Sequence, residues 1–339
     1  MIFTHPKFAY QLAVIISLIT LSSYSQTKTY SIAFGSCDNQ RLKNELWKSI
    51  DENHSIAWIW GGDDVYSDTE DMNELKENYA IQKNDSDYLQ FIANKQILGT
   101  WDNHDYGLND GGEEYPYRRE SQQLLFDFLG TPKDAPERFR DGVYNAKFID
   151  IEGNKVKVIV LDTRFFRTAV TKAVNSKKRL QPNPYGQGTI LGESQWKWLE
   201  AELSTSDAQF NVIVSSIQLL SDKHGFECWG NFPHEIDQLE KLLVTSKAKG
   251  TFIISGDRHI ATFSSKKVTN LNYPLVDFTS SGLTHVYSSF SGEENPYIVG
   301  KVVSDKNFGL LQFDFTNNRV IMQIRGIENK LLGEHIQQY

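Results

Sequence analysis

The chain has 339 residues, 40% of them hydrophobic, 12% aromatic and 23% charged, with a formal net charge of −8 and two cysteines. Apolar content at this level excludes a disordered chain, and the absence of any Gly-x-y or heptad regularity excludes a fibrous one. The acidic balance lacks the basic face of a nucleic-acid binder, so no nucleic-acid partner is expected other than as a substrate.

In chain order, the first feature is an apolar run over 12–21, preceded by Lys7 and followed by Ser23-Tyr24-Ser25-Gln26. One basic residue, a short hydrophobic centre and small residues before the cut predict a secretory signal peptide over 1–25, cleaved after Ser25. The run falls short of the roughly 20 apolar residues that span a bilayer. A secreted or periplasmic product with no stable membrane insertion is therefore expected. Residues 26–339 contain no repeat, low-complexity tract or linker and read as one domain.

Short, near-continuous apolar runs at 30–34, 56–60, 96–98, 156–161, 212–214 and 251–254 predict strands covered on both faces. Helical patterns lie between them at 42–50, 120–129, 194–203 and 235–244. Residues 309–315 and 320–324 alternate around Thr316-Asn317-Asn318, a hairpin signature. The fold class is mixed α/β, with sheets inside and helices outside.

The residues just beyond these runs carry the chemistry. The first run leads to Gly35-Ser36-Cys37, the second to Gly61-Gly62-Asp63-Asp64-Val65-Tyr66, and the third to Trp101-Asp102-Asn103-His104-Asp105. The fourth leads to Asp162-Thr163-Arg164, the fifth to Ser215-Ser216-Ile217-Gln218, and the sixth to Gly256-Asp257-Arg258-His259. Ligands of open α/β sheets bind beyond the carboxyl ends of the strands, so six such ends predict one composite site. A carboxylate, amide, imidazole, thiol and phenol together suit a metal cluster. The sequence contains no G-x-S-x-G elbow, P-loop or G-x-G-x-x-G cradle. Hard oxygen donors suit Ca, Mg, Mn or Fe(III), while imidazole and thiolate favour transition metals; zinc alone is a poor match for a phenolate. Such a cluster can polarise a phosphoryl oxygen and activate water. Arg164 offers a planar fork to an anionic substrate oxygen.

Phe34-Gly35-Ser36-Cys37, Gly62-Asp63-x-x-Tyr66, Trp101-Asp102-Asn103-His104-Asp105, Leu161-Asp162-x-Arg164 and Ser255-Gly256-Asp257-x-His259 occur in that order. With Ser194-Gln195-Trp196-x-Trp198-Leu199, Ser216-x-Gln218, Trp229-x-Asn231-Phe232-Pro233 and Thr279-Ser280-Ser281-Gly282, the set resembles the PhoD-like branch of the calcineurin-type metallophosphoesterases. The resemblance implies a four-layer αββα sandwich, two mixed sheets flanked by helices. It implies Fe(III) on Cys37 and Tyr66, Asp63 bridging to Ca(II), and Asn103, Asp257 and His259 completing the shell, with Mn, Mg or Zn as other divalent occupants. His104 would be the acid that protonates the leaving oxygen, with Arg164, Gln218 and Asn231 as substrate-binding candidates. The family often has Asp-Asp-His where this chain has Asp102-Asn103-His104.

The expected function is a secreted metal-dependent phosphoric ester hydrolase, a phosphodiesterase and/or alkaline phosphatase. A metal-activated hydroxide or oxo nucleophile would attack phosphorus in line, on a small-molecule or phospholipid-type ester. The alternative is an exported, non-catalytic binding protein holding an anionic ligand on the same metals. Each residue also has a plainer alternative. Asp63, Asn103, Asp257 and His259 suit turn chemistry, and Cys37 suits a disulfide to Cys228 in an oxidising compartment. Tyr66 suits packing, His104 a structural hydrogen bond, and Arg164 an ion pair with Asp162 or Asp257. His285 is either a pocket or a surface residue, Asn109 and Asp110 suit a turn, and the loop 179–192 is either a lid or an inert excursion.

Overall fold

The structure, a computed structural model, describes residues 30–174 and 177–339. The expected signal peptide lies outside the described residues. The first half of the chain runs β1 (Tyr30–Gly35), α1 (Trp47–Asp51), β2 (Ala57–Gly61), α2 (Met72–Lys83), α3 (Ser86–Ile92), β3 (Gln96–Thr100), α4 (Asn103–Tyr106), α5 (Arg118–Phe128), β4 (Asn145–Ile151) and β5 (Asn154–Val160). It continues through β6 (Thr171–Lys172), β7 (Leu180–Gln181), α6 (Gly192–Ser204), β8 (Phe210–Ser215), α7 (Pro233–Ser246) and β9 (Thr251–Ser255). The last stretch is β10 (Ala261–Lys266), β11 (Leu275–Ser280), β12 (Ile298–Val303), β13 (Phe308–Asp314), β14 (Arg319–Arg325) and β15 (Leu331–Gln338).

Two mixed sheets result. One has the order β15-β14-β13-β1-β2-β3 and the other β12-β10-β11-β9-β8-β5-β4. Ile32, Phe34, Ala57 and Ile59 of the first sheet meet Phe210, Val212, Val214, Phe252 and Ile254 of the second in a shared inter-sheet core. The intervening residues face outward: Ala33, Trp58 and Trp60 pack under the helices of the first half, and Ile213 and Ile253 pack under α6 and α7. Side chains alternate along a strand, so a strand apolar on both faces reads as a continuous run. The result is a four-layer αββα sandwich.

β1, β2 and β3 pair in parallel, as do β5, β8, β9 and β11. The carboxyl ends of the six sequence-predicted strands therefore converge on one crest shared by both sheets. There the Cys37 N–H donates to the Gly62 carbonyl at 3.3 Å, and the Gly256 N–H donates to the Ser216 carbonyl at 2.9 Å. The Thr100 hydroxyl reaches the Leu161 carbonyl at 2.7 Å, lacing sheet to sheet.

The element reading needs three corrections. The helix expected over 42–50 begins only at Trp47, because the Asn44 side chain accepts from the Leu46 N–H at 2.9 Å and gives the backbone a non-helical partner. α2 and α3 were not anticipated; their polar faces hide the periodicity, although Asp71 and Asp85 cap them, accepting from Asn73 and Tyr88. β4, β10, β11, β12 and β15 were also missed, as were the two-residue strands β6 and β7. β11 carries the buried Asp277, which accepts from the backbone of Leu219 and Leu220 and from Ser255.

Candidate metal centre

Four loops deliver the donors. The Cys37 thiol, an Asp63 carboxylate oxygen and a His259 ring nitrogen lie within 4.8 Å of one another. Cys37 Sγ is 3.5 Å from Asp63 Oδ2, and the Tyr66 hydroxyl is 3.0 Å from His259 Nε2. Asp257 and Asn103 line the same cleft, and the Asn103 amide donates to Asn109 Oδ1 at 2.9 Å.

The backbone here is strained. Cys37, Asp63, Asp257 and His259 all have positive φ, at 63°, 52°, 69° and 55°. Non-glycine residues in this region cost on the order of 1 kcal/mol or more each and persist where surrounding structure enforces them. Gly62 precedes Asp63 with φ 96°, and a Cβ there would sit 2.7 Å from the Asp102 Cβ.

The electrostatics fit a cation. Burial raises the Cys37 thiol well above its ordinary range, and Asp63 and Asp257 add to it. Burial and Asp102 push Asp63 up to about 7. Burial lifts Tyr66 too, followed by Cys37 and Asp63. His259 falls to about 4 through burial and the neighbouring His285 and His104. Burial and Asp102 also raise Asp257. Anionic donors thus suppress one another's ionisation when no positive charge is among them. A metal ion relieves that repulsion, and neutral imidazole, thiolate, phenolate and carboxylate are the forms that bind one.

His104 sits at the edge of this cluster. Its backbone N–H donates to Asp63 Oδ1 at 3.2 Å, and its ring Nδ1 is 2.6 Å from Asp68 Oδ2. Burial opposes its charge, but Asp68 and Asp63 outweigh burial and raise it to about 9. The Tyr66 ring is stacked between His104 and His285, with centroids at 4.2 Å and 4.7 Å. Asp68 was missed in the sequence, although it stands only two residues beyond Tyr66. His285 belongs to the site rather than to open surface.

Three expected substrate contacts stand elsewhere. Arg164 is fully buried, not open to the cleft. Its Nε donates to Asp102 Oδ1 at 2.7 Å and its Nη1 to Glu227 Oε2 at 2.5 Å, so its fork is already occupied. The ion pair is real, but its partners are Asp102 and Glu227 rather than Asp162 or Asp257. Gln218 is buried, its amide donating to Thr279 at 2.8 Å. Asn231 accepts from the Cys228 N–H at 2.9 Å and borders a separate small cavity. Cys37 and Cys228 are both free thiols, so the disulfide alternative falls. The loop 179–192 is pinned: Asn183 N–H bonds the Asn231 carbonyl, and Ile190 N–H bonds Glu235 at 2.7 Å.

The sandwich is a fold that solved phosphatases also adopt. The sequence profile of the PhoD-like phosphatases matches residues 148–319, half of the chain, and the chain belongs to that family. It is similar to alkaline phosphatase D of Bacillus subtilis, 21% identical over 222 residues. That match covers 58% of this chain and 36% of the relative, so the chain spans little more than a third of that protein. A solved structure of PhoD superposes with a TM-score of 0.70 at 16% identity, over 91% of this chain and 68% of the other. A dimetal phosphatase from Danio rerio gives 0.56 at 11% identity, over 91% and 99%. Among the described residues no helix is long and apolar enough to cross a membrane.

Proposed function

We propose that the protein is an exported, metal-dependent hydrolase of phosphoric esters, acting on diesters of small-molecule or phospholipid type and on simple monoesters. The observation that carries this reading is the convergence of Cys37, Asp63 and His259 donors within 4.8 Å, with Tyr66 and His104 against them. Cys37 and Tyr66 would hold Fe(III), and Asp63, Asn103, Asp257 and His259 would complete a shell that also takes Ca(II). Bound metals supply Lewis-acid polarisation of the phosphoryl group and activation of water. His104 has Nδ1 engaged by Asp68, which leaves Nε2 to carry the proton that goes to the departing alkoxide. The stack on Tyr66 holds that imidazole against rotation. Phe226 and Tyr287, both partly exposed on the cleft wall, favour an ester with an organic group over free phosphate chains.

The test is hydrolysis of an aryl phosphate diester and the matching monoester, side by side, with calcium and iron supplied. Faster diester cleavage narrows the substrate to phosphodiesters, and faster monoester cleavage to a phosphatase. No turnover by folded, metal-loaded protein overturns the hydrolase reading in favour of an anion-binding protein. Tyr66→Phe should abolish the visible Fe(III)–phenolate band and leave the fold intact; a surviving band removes Tyr66 from the ligand set.

A further inference from the structure

With Arg164 sealed in the interior, any arginine that meets the substrate anion comes from elsewhere. The cleft, about 410 Å³, has two arginines among its described lining residues, Arg179 and Arg258. Arg258 is 8% exposed, with its Nη2 paired to Glu293 and its face stacked over Phe226 at 4.2 Å, so it is largely withdrawn from the cleft. The Arg179 side chain is 48% exposed, and its guanidinium meets the carboxylate of Asp110, which also lines the cleft.

The backbones on both sides of that pair are held independently of it. The Arg179 N–H donates to the Gly225 carbonyl at 3.1 Å, and its carbonyl accepts from Ala173 at 3.0 Å. The Asp110 carbonyl accepts from Arg167, whose Nε is 2.8 Å from Glu227 Oε1. Glu227 in turn holds Arg164, which holds Asp102 beside Asn103. A continuous buried network therefore runs from the metal-centre loop to the Asp110 backbone. The Asp110–Arg179 side-chain contact is its exposed end, and it can open without moving either chain segment.

We propose that Arg179 is the phosphate-binding residue of the cleft, exchanging the Asp110 carboxylate for phosphoryl oxygens when substrate enters. Carboxylate and phosphate both present paired acceptor oxygens to the planar guanidinium fork. Asp110 is then a built-in competitor that keeps the guanidinium in place while the cleft is empty. The proposal rests on the hydrolase reading for its substrate, but not for binding of phosphate itself.

The experiment titrates inorganic phosphate calorimetrically into the full chain, before and after loading with calcium and iron, and measures KM and kcat for the aryl esters. Arg179→Met should weaken phosphate binding and raise KM by roughly tenfold or more, with a smaller change in kcat. Asp110→Asn should act in the opposite direction, tightening phosphate and lowering KM by about two- to fivefold. Asparagine tolerates the positive φ of 51° at this position. Opposite shifts support the exchange. If both variants shift affinity the same way, or only the melting midpoint moves, the pair is structural and the proposal fails. Phosphate binding that follows Arg179 in a protein without turnover sinks the hydrolase reading alone; turnover with Arg179-independent phosphate binding sinks this proposal alone.

Discussion

Between the sheets, Phe34, Phe263 and Phe278 form an apolar cluster, with Phe278 lying 4.8 Å and 4.5 Å from the other two rings. At the strand ends a few residues further on, Asp63, Asp64, Asp102 and Asp105 are equally buried, and both carboxylate oxygens of Asp64 lack a hydrogen-bond partner among the described residues. The first region is close to what packing alone would choose. The second holds strained backbone, crowded carboxylates and unsatisfied oxygens, each of which costs stability. Their coexistence shows a rigid sandwich supporting a crest that would not hold its own shape. Strain of this kind persists only where neighbouring structure over-determines it.

Variants in each region should separate the two roles. Phe278→Ala deletes a large buried ring and should cost about 3–5 kcal/mol in urea unfolding, while folded protein keeps its KM. Arg164→Met should cost a comparable amount, about 3–5 kcal/mol, because it leaves Asp102 and Glu227 buried without their common partner. An Arg164→Met protein of unchanged stability but raised KM would instead restore Arg164 as a substrate contact.

Asp68→Asn tests the crest without touching the sandwich. The Asp68 side chain is 42% exposed, so unfolding should be little affected. Turnover should fall by roughly 10–100-fold as His104 loses its carboxylate partner. Unchanged turnover would show that the pair is incidental.

The smallest effect concerns pH. Burial, reinforced by Arg258 and Lys178, holds His224 down at about 3, and its Nδ1 accepts from the Phe226 N–H at 3.1 Å. Because the folded protein binds this proton less readily than the unfolded chain, the contribution is fully present above pH about 6.5. It is lost as pH falls from there towards 3. At pH 5.5 the loss from this group is about 1 kcal/mol relative to neutral pH. His224→Asn keeps an acceptor for Phe226 and should flatten that part of the pH–stability curve; an unaltered slope would place the acid sensitivity elsewhere.

β1, β2, β8 and β9 were readable because both their faces are buried and they appear as near-continuous apolar runs, whereas β11, equally buried, was missed because Asp277, Thr279 and Ser280 break its run. The edge strands β4, β12 and β15 were not readable, because half of their side chains face water and the runs dissolve into polar sequence. The same contrast governs the site. Cys37, Asp63, Tyr66, Asn103, Asp257 and His259 were legible because each stands within a few residues of a strand end, where chain order and spatial order coincide. Arg164 stands beyond a strand too, yet its side chain turns inward towards Glu227, a residue with no strand-end signal and no fixed spacing to it.

From sequence alone came the layered α/β architecture, the strand-end donors and the metal chemistry those donors suit, since each depends on local pattern and residue type. Only the tertiary structure decided which cations reach the cleft, that both cysteines are free, and that Asp68 braces His104. Those depend on distances between segments far apart in the chain, and side-chain direction at a strand end is set by whatever the opposite loop presents.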